Sequence, residues 1–82
     1  MRYFFHLRES GSLVVDEEGL ELASVDAVEK AAIAGARSVI AAEAMAGKLS
    51  LGAVIEVHDE NGERVLDVRF RDAVSVVNAG AR

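Results

Sequence analysis

Apolar and polar positions alternate at two different periods along the chain, and the changes of period divide it into two strand-like arms around one helix. From Arg2 to Arg8, RYFFHLR alternates every second residue, with Tyr3, Phe5 and Leu7 on one face and Arg2, Phe4, His6 and Arg8 on the other. Aromatic-rich alternation is the pattern of a half-buried strand, and the first set is assigned to the core side. Glu9–Ser12 reads as a loop and Leu13–Val15 as a short strand returning beside the first. In Asp16-Glu17-Glu18-Gly19, an aspartate three residues before a glycine predicts a tight turn: the carboxylate bonds the backbone ahead of it and glycine takes positive φ. Leu20–Leu22 then leads into the helix.

Between Ser24 and Gly47 the pattern becomes helical. Ser24 is a suitable N-cap, Asp26 and Glu29 suit the positive end of the helix dipole, and Gly47 suits the C-terminal stop. Helical spacing gathers Val28, Ala32, Gly35, Ala36, Val39, Ala42 and Ala46 on one stripe, flanked by Ile33 and Ile40. That stripe is small in volume, so the bulk of the core has to come from the surface facing it. Gly35, mid-helix, predicts a close backbone approach there.

Past the helix, Ala53–His58 and Arg64–Arg71 alternate again and are joined by Asp59-Glu60-Asn61-Gly62, predicting a hairpin. Ile55, Val57, Leu66, Val68 and Phe70 are assigned to the same inner face as Tyr3, Phe5 and Leu7. Asp72–Val77 fits a further short strand or irregular chain, and NAGAR at 78–82 reads as a frayed tail. The predicted order is β-β-α-β-β, an α+β two-layer sandwich of one long helix on an antiparallel sheet. The expectation is one domain over residues 1–82.

Composition narrows the function classes. The 82 residues contain no cysteine, which removes disulfides, thiolate nucleophiles and cysteine-based zinc sites. MRYFFHLRES stops being apolar at Leu7, unlike a signal peptide, and no segment reaches the length of a membrane span, so a soluble cytoplasmic protein is expected. A net charge of −5 argues against a general nucleic-acid binder.

RYFFHLR at 2–8, Gly11, the DEEG-LEL run at 16–22, V-x-D-x-x-G at 57–62 and L-x-V-x-F-x-x-A at 66–73 together resemble the domain of unknown function 6894 family of small bacterial proteins. The resemblance covers nearly the whole chain. It implies a small domain with no assigned enzymatic activity and supplies no catalytic residues. One departure is Arg69, where proline is frequent in the family and would fit an edge strand.

The residues that carry chemistry form few constellations. His6 and His58 share the outer face with Glu56 and Asp67, a set able in principle to bind a divalent metal, but the spacing matches no local ligand motif. His6 reads instead as structural. The acidic runs at 16–21 and 59–60 lack the alternating oxygen ligands of a calcium loop and read as turns. No nucleophile, base and orienting group fall into a triad, and no cofactor motif is present, so the chain is read as no enzyme and as needing no cofactor or metal. Arg2, Arg8, Arg69 and Arg71 beside Phe4 suggest an RNA-binding or antitoxin-like face, set against the simpler reading that the arginines pair with Glu56 and Asp67.

The function expected is a non-enzymatic interaction or regulatory module that self-associates as a dimer, with room for an unidentified protein partner. The helix covers only one sheet face. That leaves Phe4, His6, Val54, Val65, Arg69 and Arg71 as candidate interface residues on the other, with the exposed side of the helix as a second surface.

Overall fold

The structure is a computed structural model and describes residues 1–77. The tail at 78–82 lies outside the described residues. The elements run β1 (Arg2–Glu9), β2 (Ser12–Val14), β3 (Leu20–Glu21), α1 (Val25–Met45), β4 (Val54–Asp59), β5 (Arg64–Arg69) and α2 (Phe70–Ala73). The strands form one antiparallel sheet in the order β2-β1-β4-β5, and β3 pairs with β1 beyond the end of β2. The α+β order expected from the alternation is therefore present, with Leu20–Glu21 adding a short strand.

Local chemistry explains the turns. Glu9 pairs with Ser12 across a two-residue link whose residues, Ser10 and Gly11, have φ of 52° and 80°. Positive φ at both central positions is the hairpin geometry that matches strand twist. At the β4–β5 turn, Asp59 Oδ1 accepts from the amides of Asn61 and Glu63. Ser24 Oγ accepts from the Ala27 amide at 3.1 Å and opens α1. The helix closes with Gly47 N–H on the Ala44 carbonyl and Lys48 N–H on that of Glu43, a reciprocal pair that satisfies two free carbonyls.

The core lies between α1 and the β4–β5 half of the sheet. Val28, Ala32 and Ala36 meet Ile55, Val57, Val68 and Phe70, with Tyr3 closing one end. Phe5, Leu7 and Leu66 lie on the same face but are half-buried. The helix residues are small and the sheet residues large, as the stripe required.

Four expectations need correction. The buried row of α1 is Val28, Ala32, Ala36 and Ile40, while Ala42 and Ala46 are exposed. Each step of four residues turns the row about 40°, so it drifts towards Ile40 and away from Ala42. An added Cβ on Gly35 would meet Ile55 Cδ1 at 3.5 Å, an ordinary contact, so the sheet does not press on its backbone. The last strand stops at Arg69 instead of Arg71: the Phe70 amide bonds the Ala53 carbonyl, and the chain turns into α2 with Phe70 fully buried. Asp72–Ala73 belong to α2, and residues 75–77 have no regular structure. Arg37 Nε donates to the Ala73 carbonyl at 2.7 Å and ties α2 to α1.

Candidate functional site: the open face of the sheet

The face away from α1 is built by register. Phe4 lies opposite His58, His6 opposite Glu56 and then Asp67, and Arg8 opposite Val54 and then Arg69. His6, His58, Glu56 and Asp67 therefore do share one surface, as the alternation predicted. A bulge brings in one more residue. Val57 pairs with Leu66 but His58 pairs with Arg64, so Val65 is the extra residue and Arg64 is carried onto the open face. A strict period of two would have placed Arg64 with Leu66 on the core face, which is why sequence reasoning missed it.

Glu56 is the centre of this surface. It is the one buried charged residue among those described, only 7% exposed. Central β4 holds it between two neighbouring strands, and two arginines close over it. Arg8 Nε donates to Glu56 Oε2, and Arg64 Nη2 approaches the same oxygen at 3.6 Å. The hydrogen bond from Arg8 holds the Glu56 carboxyl below its ordinary range against the opposing effect of burial. Arg64 also makes a two-pronged contact with Asp67, at 2.9 and 2.6 Å. Arg69 turns to Asp72 at 3.0 Å.

The two histidines meet edge to face with ring centroids 5.0 Å apart. His58 Nε2 is shielded from solvent without a hydrogen bond among the described residues, with Glu56 Oε1 3.9 Å away. His6 Nδ1 accepts the Asp16 amide at 3.0 Å. No group of three or more His, Asp or Glu among the described residues has a metal-holding arrangement.

The acidic turn folds onto this face and does more than reverse the chain. Between β2 and β3 the edge of β1 would be left unpaired at Phe5. Asp16 fills that gap: its Oδ2 accepts the Phe5 amide at 3.0 Å, and its Oδ1 accepts those of Glu18 and Gly19 at 3.1 and 3.2 Å. Burial pushes the Asp16 carboxyl up, but these three amides outweigh it and hold the group below its ordinary value of 3.8. Gly19, at φ 70°, rests on β1 so closely that a Cβ would lie 2.7 Å from the Tyr3 carbonyl oxygen and 2.9 Å from Phe4 Cε1. Phe4 is therefore half-covered by the turn.

Of the candidate interface residues, register gathers Phe4, His6, Val54 and Arg69 on the open face. Val65 sits in the bulge, half-buried, and Arg71 lies in α2, off the sheet. A separate exposed apolar group lies off this face. Leu13, Val14, Val15 and Leu20 are 41%, 62%, 54% and 51% exposed along the outer edge of β1.

The fold and this surface define a small two-layer α+β domain with a charge-balanced sheet face and an acidic turn locked to its edge. The family model described as Domain of unknown function (DUF6894) matches residues 2–71, and the chain belongs to that family. No curated protein and no solved structure matches the chain. Among the described residues, no helix is long and apolar enough to cross a membrane.

Proposed function

We propose that this chain is a non-enzymatic interaction or regulatory module that works in a self-associated form. The observation that carries this reading is the uncharged, apolar run Leu13–Val15, more than two-fifths exposed at each residue and placed on a sheet edge. Contiguous apolar surface on a strand edge favours association, since pairing satisfies edge amides and removes apolar area from water together. Light scattering on the eluting peak of the purified chain tests it. A mass near twice the 8.7 kDa of one chain is expected, and a mass of one chain at high micromolar concentration would end the reading.

An RNA-binding or antitoxin-like role has less support. Arg8 and Arg64 are committed to Glu56 and Asp67, Arg69 to Asp72, and Phe4 lies half-covered under Gly19. Among the described residues, this face offers neither unpaired cations for phosphates nor an open ring for base stacking. Fluorescence anisotropy with mixed single-stranded oligonucleotides at low salt is expected to stay flat. Binding that weakens steeply with added salt would favour the rival.

A further inference from the structure

We infer that the self-association proposed above, on which this inference rests, occurs by antiparallel pairing of β2 with β2 of a second copy about a twofold axis at Val14. The direction of the edge amides sets the geometry. Phe5 gives its N–H to Asp16 Oδ2, so that amide faces the outer edge of β1. The amide of Leu7, two residues on, faces the same way. Leu7 is opposite Val14, and in a hydrogen-bonded antiparallel pair both residues turn their backbone groups towards each other. Val14 therefore bonds inward to β1, while Leu13 and Val15 present N–H and C=O outward. Among the described residues neither of those amides has a hydrogen-bond partner.

A second copy fits these groups and leaves no charge opposed. Pairing about Val14 sets Leu13 of each copy opposite Val15 of the other and allows four backbone hydrogen bonds; pairing about Leu13 allows two. The antiparallel sense also lays each acidic turn, Asp16–Glu18, along the uncharged Ser10–Ser12 hairpin of the other copy, whereas a parallel seam would stack the acidic turns. Beyond Val15 the chain climbs onto the open face, where the Asp16 amide meets His6, so the seam is confined to residues 12–15. The other free edge differs in kind. β5 carries Arg64, Asp67 and Arg69 among six residues, the charged pattern that protects an edge from pairing, and β2 with Val15 carries none. The pairing joins two four-strand paths into one continuous sheet, brings the two Val14 side chains together on the helix side, and covers Leu13 and Val15 on the other.

The absence of native cysteine makes the seam directly testable. At Val14 the two copies form a non-hydrogen-bonded pair, with Cα atoms about 4.5 Å apart, inside the range a disulfide spans. Val14 is exposed, so Val14→Cys leaves the core intact. Under mild oxidation Val14→Cys is expected to form a covalent dimer about tenfold or more faster than Ser38→Cys, on the exposed side of α1, because the paired thiols have a high effective concentration. A mixture of Leu13→Cys and Val15→Cys is expected to link faster than either variant alone. If the parent is a dimer but Val14→Cys links no faster than Ser38→Cys, this seam is wrong while self-association stands. Faster linking of Leu13→Cys alone than of Val14→Cys overturns the register. A parent that stays a single chain removes both.

Discussion

Replacing Gly19 with alanine tests the contact that fixes the acidic turn. At φ 70° an L-residue is in the left-handed region, at about 1–2 kcal/mol relative to glycine. The new Cβ would also lie 2.7 Å from the Tyr3 carbonyl oxygen and 2.9 Å from Phe4 Cε1. Tyr3 is held on both sides, by Leu20 of β3 and Asp59 of β4, so its carbonyl cannot move aside without disturbing two ladders. Forcing atoms into such a site costs about 1–3 kcal/mol. Together the two effects give about 3 kcal/mol for Gly19→Ala, a large share of the roughly 4–12 kcal/mol expected for 82 residues. Gly62 is the control: its φ is 81°, and an added Cβ meets nothing within 4 Å. Gly62→Ala should show only the backbone cost, about 1–2 kcal/mol. Urea unfolding followed by circular dichroism gives both values, provided the slopes agree. A Gly19→Ala loss equal to that of Gly62→Ala would refute the close approach of the turn to β1.

Three further outcomes follow from the packing and charges. Gly35→Ala should stabilise by up to about 1 kcal/mol, because its site accepts a methyl at ordinary contact distance and alanine is the better helix former; a loss in the same urea assay would mean that the helix lies closer to Ile55. Phe70→Ala should lose about 4 kcal/mol, since the ring is fully buried under α1, and Phe5→Ala, half-buried, should lose less; the reverse order would contradict the placement of α2. Asp16 and Glu56 both have folded pKa values below their unfolded ones, so the stability they contribute is complete above the unfolded values and drains away as pH falls through the folded ones, from about pH 4 downward. Asp16→Asn should therefore be weaker than the parent at neutral pH and approach it in acid; a gap that does not narrow would show that Asp16 is not held ionised by its amides.

The elements that could be read along the chain are those whose cause is local. Ser24 caps α1 through its own first turn, Asp59 organises its own hairpin, and alternation assigned Tyr3, Phe5 and Leu7 correctly to the face of the core. What escaped depends on distant partners. Arg64 reaches the open face only because the β4–β5 ladder slips at His58. Phe70 keeps the inward side that alternation assigned to it but does so from a helix, because the Ala53 carbonyl captures its amide. Asp16 was legible as a turn former, since two of its bonds run to the next three residues. Its bond to Phe5 and the bond from its amide to His6 span 11 and 10 residues and leave no trace in spacing. The apolar letters of Leu13–Val15 were plain in the sequence, but their exposure became visible only when the sheet order put β2 at an edge.

Self-association through that edge is the central claim, and amide spectra of the labelled chain recorded over a dilution series test it most directly. Pairing at β2 predicts concentration-dependent shifts that cluster at Ser12–Asp16, with the Leu13 and Val15 amides moving most. Shifts centred instead on Phe4, His6 and Val54 of the open face, or no shifts together with the tumbling rate of a single chain up to high micromolar concentration, would contradict it.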